Sequence, residues 1–205
     1  MNSNAAGLMV VALALTGCGD RISTSVINER SVAVTLLCQE IQAKVPEGEV
    51  VLVLNPLGRD QVNVRELQDE TVALFRRALN GRTLRTAEPA LMDGLTPSDW
   101  ASRIRPGSTA PLSYIMKPEA FESIAREYPG ATVLVSLVGM PDPGSYIKFP
   151  PAMLLLPDLL VFGHPASAME AFHAGRIRAA AVVVGEAAVL ITADNAHELI
   201  PQLDW

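Results

Sequence analysis

Residues 50–54 read VVLVL, an unbroken apolar run between Glu49 and Asn55. A strand that is covered on both faces has this pattern, because neither of its two alternating sets of side chains meets water. Residues 132–138, TVLVSLV, repeat the pattern later in the chain. The two runs predict inner strands of a sheet that is packed between two layers of helices.

Helices and further strands alternate along the rest of the chain. Apolar residues at helical spacing predict helices over 31–44, 63–80, 119–128 and 167–175, and short apolar runs predict further strands over 82–86, 159–162, 179–184 and 188–191. Asn63 and Glu66 have capping-box-like spacing at the start of the second helix. Ser167 and Glu170 repeat it at the fourth, and Asp194 is predicted to cap a last helix. Short strands alternating with longer helices imply parallel pairing through right-handed crossovers. The predicted fold class is therefore α/β: a single-domain, three-layer sandwich with a mostly parallel sheet, of the flavodoxin or Rossmann type.

The first residues have the pattern of an export signal. Residues 5–15, AAGLMVVALAL, form an apolar run that is too short to span a bilayer but suits the core of a secretory signal. Residues 15–18, LTGC, follow and resemble the lipobox of bacterial lipoproteins. That resemblance implies cleavage before Cys18 and a lipid such as palmitate on this cysteine. Residues 1–7 lack the Lys or Arg that such signals normally carry, and the alternative interpretation is an amino-terminal core helix.

This resemblance predicts three segments: a signal peptide over 1–17, a lipidated tether over 18–29 and an α/β domain over 30–205. The expected location is the cell envelope, on the exported side of a bacterial membrane such as the periplasm, with the lipid as the membrane partner. No later apolar run reaches the roughly 18 residues of a membrane helix, so no second span is expected.

Composition excludes two classes of protein. The chain is 49% hydrophobic and 19% charged, which is too apolar for a disordered protein. Its net charge is −6, so it lacks the basic surface that binding to nucleic acid requires, and no nucleic-acid partner is expected. Cys38 shares an apolar helix stripe with Val34, Leu37 and Ile41. We predict a buried thiol there, and a nucleophile or metal ligand is the alternative.

The candidate site residues come from the position of the strands. In open α/β sheets, ligands bind beyond the carboxyl ends of the strands. The polar residues that follow the predicted strands, and are therefore candidate ligand-binding residues, are Asn55, Arg59, Asp60, Asp142, His164 and Glu186. Ordinary loop roles are the alternative, since Asn55 precedes a proline and His164 lies between Gly163 and Pro165.

Signatures of catalysis and cofactor binding are missing from the sequence. It contains no G-x-S-x-G, no P-loop and no G-x-G-x-x-G, so no cofactor is expected and catalytic residues cannot be named. His197-Glu198 begins like a zinc helix, but the second histidine of HExxH would stand at Pro201. No metal site is predicted, and an enzyme is the less favoured class.

Two segments carry weaker resemblances. Residues 167–184, SAMEAFHAGRIRAAAVVV, resemble the helix, turn and strand of type I periplasmic substrate-binding proteins. Residues 50–86 and 130–135 are similar to the α/β amino-terminal domain of the Tol-system propeller protein, which implies an envelope-assembly lipoprotein.

Three functions follow as hypotheses. The first is a non-catalytic envelope lipoprotein that binds a protein or envelope component. The Pro-rich loop 139–151 and the apolar residues 152–156 beside it suggest such an interface, although 153–156 also suits core. The second is a small-molecule solute-binding module that uses the strand ends. The third is a hydrolase with a dispersed catalytic site.

Overall fold

The structure is a computed structural model, and it describes residues 24–45, 47–56, 62–96, 111–141, 152–155, 165–184 and 187–203. In chain order, its elements are α1 (Thr24–Lys44), β1 (Glu49–Val53), α2 (Val62–Ala78), β2 (Leu84–Ala87), α3 (Ala120–Glu127), β3 (Ala131–Ser136), β4 (Ala152–Leu155), α4 (Pro165–His173), β5 (Ile177–Val184), β6 (Ala187–Thr192) and α5 (Ala196–Leu199). Short 3₁₀ helices cover Pro111–Tyr114 and Ile200–Gln202. None of the helices in this part of the chain has both the length and the apolar character of a membrane span.

The strands form one six-stranded sheet in the order β2-β1-β3-β4-β5-β6. All neighbouring pairs are parallel except β5 and β6. Val184 pairs with Ala187, so β5 and β6 are the arms of a hairpin. The predicted fold class, an α/β sandwich with a mostly parallel sheet, is confirmed, and the antiparallel edge strand is the feature that the apolar pattern did not predict.

Helices cover both faces of the sheet. Val50 and Leu52 of β1 belong to one buried cluster with the inner sides of α1 and α2. Val51 and Val53 belong to a second cluster with α3, α4 and α5. All four side chains are fully buried. The unbroken apolar run of β1 therefore has the predicted cause, since alternate side chains of it face different helical layers.

The apolar segment 152–156 suggested a surface interface, with an internal position for 153–156 as the alternative, and residues 152–155 follow the alternative. Residues 152–155 form β4, which pairs with β3 on one side and β5 on the other. A strand with a neighbour on each side has both rows of backbone groups occupied, so it offers no edge to a partner. The strand predicted over 159–162 lies outside the described residues.

Several local predictions need smaller corrections. α1 begins at Thr24, so residues 24–29 of the predicted tether are helical. Asn63 and Ser167 both lie inside their helices, which begin at Val62 and Pro165, because the helices start earlier than the capping pattern indicated. The residue at the N-cap of α5 is Asn195, whose side chain contacts β6 instead of capping the helix.

Cys38 is buried in the cluster beneath α1, as predicted. Burial disfavours the thiolate and raises the pKa of Cys38 to about 12. Its neutral thiol is therefore the form that the folded state favours. The contribution of this group to stability is present below pH 9.0, the ordinary pKa value, and is lost as the pH rises toward 12.

We expect Cys38 to resist thiol reagents in the folded protein. In a Cys18→Ala variant, which leaves Cys38 as the one thiol, labelling at pH 8 should be far slower than in denaturant, because the thiolate is the reacting form. The rate of labelling is followed by absorbance, with the chain unfolded in guanidinium as the control. Fast labelling of the folded chain at pH 8 would contradict the buried position.

Candidate functional site

The order of the strands reverses between β1 and β3. The chain leaves β1 for β2 on one side of the pair and leaves β3 for β4 on the other. Connections that diverge in this way open a crevice at the carboxyl ends of the two strands, which is where ligands bind in open α/β sheets. Residues 54–56 and 137–141 border the crevice within the described part of the chain.

Gln68 of α2 holds Asn55, the second residue after β1. The main-chain N–H of Asn55 donates to Gln68 Oε1 at 2.5 Å, and Gln68 Nε2 donates to the carbonyl of Asn55 at 3.4 Å. Both contacts use the main chain of Asn55. Its side-chain amide is therefore not needed for this contact, although Asn55 makes further interactions of its own.

Ser136 closes the end of β3. It is fully buried, and its hydroxyl donates to the carbonyl of Gly139 while it accepts the N–H of Val138 at 3.3 Å. Gly139 has a φ of 88°, which an L side chain rarely adopts. Buried Ser113 then accepts the N–H of Met140 at 3.1 Å. These bonds fix the backbone on the β3 side of the crevice.

An open cleft of about 340 Å³ lies beside the edge strand β2, on the side of the sheet that α3 covers. Its lining residues are Leu54, Thr86, Ala87, Glu88, Glu127 and Tyr128. The Tyr128 hydroxyl donates to the carbonyl of Thr86 at 3.3 Å and so joins α3 to β2. Desolvation and then the nearby charge of Glu127 raise the pKa of Tyr128 above its ordinary value of 10.0. Leu54 connects this cleft to the end of β1.

The predicted site residues are only partly placed. Asn55 lies at the crevice, two residues after β1. Arg59, Asp60, Asp142, His164 and Glu186 lie outside the described residues, and so does Cys18. Their roles stay predictions.

The described residues include no group of three or more His, Cys, Asp and Glu side chains that could hold a metal ion. His173 is in the last turn of α4, where a histidine interacts favourably with the helix carbonyls.

The sequence analysis did not predict two residues that position the backbone at the carboxyl ends of β1 and β3, Gln68 and Ser136. Gln68 follows Val64 by four residues and precedes Phe75 by seven, so it is a polar residue on the apolar stripe of α2. Ser136 interrupts the apolar run of β3. A polar residue where the pattern requires an apolar one was the available signal in both cases, because such a residue needs a hydrogen-bond partner when it is buried.

Comparisons with known proteins gave structural neighbours alone. No family model and no curated protein sequence matches the chain. An arabinose-binding protein from Geobacillus stearothermophilus is similar in structure at 12% identity, with 83% of this chain and 62% of that chain covered and a TM-score of 0.47. A solute-binding protein of an ABC transporter from Burkholderia graminis, solved with D-arabinose, gives 15% identity, coverage of 83% and 61%, and a TM-score of 0.48. A sugar-binding protein of a sugar ABC transporter from Bacillus halodurans gives 10% identity, coverage of 82% and 63%, and a TM-score of 0.49. The chain spans less than two thirds of the length of these solved proteins.

The contact between Gln68 and Asn55 can be tested by mutation. We expect Gln68→Met to lower stability by about 0.5–1.5 kcal/mol, because it removes two hydrogen bonds while keeping the length of the side chain. The amide of Asn55 should also exchange with solvent faster, as measured by hydrogen exchange with NMR or mass spectrometry. Gln39→Met, at an exposed position of α1, is the matched control. An unchanged exchange rate at Asn55 would show that Gln68 does not hold this segment.

Proposed function

We propose that this chain is a binding module for a small polar molecule and that the ligand contacts the crevice between the carboxyl ends of β1 and β3. The observation that carries the proposal is the reversal of strand order at this pair. A crevice at such a reversal is the general ligand position of open α/β sheets. The fixed backbone on its two sides supports the proposal, because a binding site needs parts that are already in place.

The geometry favours this function over the interface hypothesis. The loop 139–151 and the apolar residues 152–156 together suggested a protein partner, and residues 152–155 form the internal strand β4. The described backbone at the crevice, by contrast, is held by main-chain N–H groups that donate to the side-chain oxygens of Gln68, Ser136 and Ser113. Such anchoring suits a preformed small-molecule site better than a surface patch.

The main test is a thermal-shift screen of the purified domain. The panel contains pentoses and hexoses, since arabinose and sugars are what the neighbouring structures are named for, together with amino acids and small carboxylic acids. A ligand at one hundred times its dissociation constant adds about 2.7 kcal/mol to the free energy of unfolding, and this raises the melting temperature measurably.

The same screen tests the position of the site. Asn55→Ala should weaken the binding of an identified ligand about tenfold, which is the loss expected from about 1.4 kcal/mol of hydrogen bonding. Gln68 holds the main chain of Asn55, so the fold should survive the substitution. Asn80→Ala, at an exposed turn position two residues after α2, is the matched control. Equal affinities of the two variants, or a panel in which nothing raises the melting temperature, would contradict the proposal.

The second part of the proposal concerns location. The lipobox-like residues 15–18 support a domain that is exported and held at the envelope membrane by lipid on Cys18. α1 begins at Thr24, which leaves a short lead between the lipidated residue and the folded domain. A ligand site on such a domain is held close to the membrane surface.

Labelling with radioactive palmitate tests the anchor. The native chain should incorporate label in a bacterial host, and a Cys18→Ala variant should not, because the thiol of Cys18 is the site of lipid attachment. Cys38→Ala is the matched control and should label like the native chain, since that thiol is buried. Equal labelling of the native chain and Cys18→Ala, or no labelling of either, would contradict lipidation at Cys18.

A further inference from the structure

The carboxyl end of α1 lies at the edge of the sheet where β1 and β2 begin. Lys44, the last residue of α1, is separated from β1 by four residues. Arg82, just before β2, donates to the carbonyl of Val45 after α1 and to the carbonyl of Gly48 before β1. These contacts join the end of the helix to the starts of both strands. We call this edge of the sheet the amino edge.

The amino end of α1 lies at the opposite edge, where the parallel strands end. Arg30 of α1 donates to the Thr71 hydroxyl of α2, and Gln42 further along α1 donates to the carbonyl of Ala78 further along α2. The contacts occur in the same order along both helices, so α1 and α2 run in the same direction. α2 leads from the carboxyl end of β1 back to the start of β2, which is parallel to β1. Both helices therefore begin at the carboxyl edge, and Thr24 lies on the edge that carries the proposed crevice.

The length of the chain limits how far Thr24 can lie from a lipid on Cys18. Five residues separate the two positions. A fully extended chain from one to the other spans at most about 22 Å. α1 has 21 residues and is therefore about 30 Å long. The lead is shorter than the helix, so an anchored domain cannot stand upright on its amino edge, because that position would place Thr24 a full helix length above the bilayer.

The two edges also differ in charge. The described segments that follow β1 and β3, residues 54–56 and 137–141, contain no charged residue, and Glu88 after β2 is the charged residue of this edge in the described part of the chain. The amino edge has the exposed side chains of Lys44 and Glu47 immediately before β1. Charged groups lose the most hydration free energy when they leave water. The carboxyl edge is therefore the one that suits a position against lipid head groups.

We propose that the carboxyl edge of the sheet faces the lipid surface, so that the crevice at β1 and β3 opens toward the bilayer. This inference rests on the proposed lipid at Cys18 and names the partner of the edge that holds the proposed ligand site. The direction of α1 and the short lead before it set the orientation. The ligand then enters the crevice at the membrane surface.

The experiment compares fluorescent labels at opposite ends of neighbouring strands. Glu47 lies two residues before β1, Glu88 directly follows β2, and both are exposed. Glu47→Cys and Glu88→Cys are each labelled in the lipidated protein, in which Cys18 carries lipid and Cys38 is buried. The protein is bound to phosphatidylcholine vesicles that contain an acceptor dye on the head groups, and energy transfer from the label is measured. The same variants with Cys18→Ala give the background.

Energy transfer should be several-fold stronger from position 88 than from position 47, because the two positions lie about 20 Å apart along the strand direction. A flexible insertion of about 30 Gly and Ser residues between residues 23 and 24 should reduce this difference, since it adds a mean reach of about 30 Å. The insertion is the matched control, because it keeps the lipid, the domain and both labels. A difference that persists with the insertion would also support the proposal, with the uncharged edge itself as the cause.

Equal transfer from the two positions, or stronger transfer from position 47, in protein that is bound to the vesicles would overturn the orientation and leave the lipid anchor standing. The mass of the intact protein shows whether the lipid is present. Protein that carries no lipid and does not bind the vesicles would overturn both the anchor and this inference. The thermal-shift screen tests the ligand site separately, because it does not require a membrane.

Discussion

Cover on both faces of the sheet is the constraint on which the rest of this structure depends. The side chains of Val50, Val51, Leu52 and Val53 are all fully buried, although successive residues point to opposite faces. That is possible only if one helical layer lies above the sheet and another lies below it. Loss of either layer would expose half of the inner strands, so the alternation of helices and strands along the chain is a physical requirement of these apolar runs.

β5 shows how closely the layers approach. Ala179, Ala180 and Ala181 are all fully buried, and alternate alanines belong to the two opposite core clusters. Side chains this small let helices on both faces lie near the strand, and α1 packs across β5 and β6 from one side. The sheet then ends in the antiparallel β6, whose hairpin with β5 needs no covering crossover helix. The packing of α1 thus extends to the antiparallel edge strand β6, which parallel strands joined by crossover helices would not produce.

The sequence predicted the positions of the helices and strands better than it predicted which strands pair in the sheet. β1, β3 and β5 were placed from apolar runs because burial on both faces leaves a local signal. The segment 152–155 has the same kind of run, yet its partners β3 and β5 lie far away in sequence, and pairing at that distance leaves no local pattern. The direction of β6 was missed for a different reason: two residues separate it from β5, which is the spacing of a hairpin, and the rule for parallel strands joined by helices was applied instead. The site was less predictable than the fold, because Gln68 reaches Asn55 from another element and strand ends alone do not indicate which side chains of a neighbouring helix turn toward them.

Both α1 and α2 carry a polar residue on the apolar stripe that faces the core. Arg30 and Gln68 each occupy a position at which the periodicity of the helix calls for an apolar side chain, and each lies in the half of its helix nearer the carboxyl edge of the sheet. Gln68 is satisfied by the main chain of Asn55, whereas Arg30 has one long contact with Thr71. The periodicity of α1 and α2 is unbroken toward the amino edge, where Leu37, Ile41, Phe75 and Leu79 fill the core. Two polar side chains of this layer, those of Arg30 and Gln68, thus lie in the halves of α1 and α2 that are nearer the strand ends where α/β sheets bind ligands.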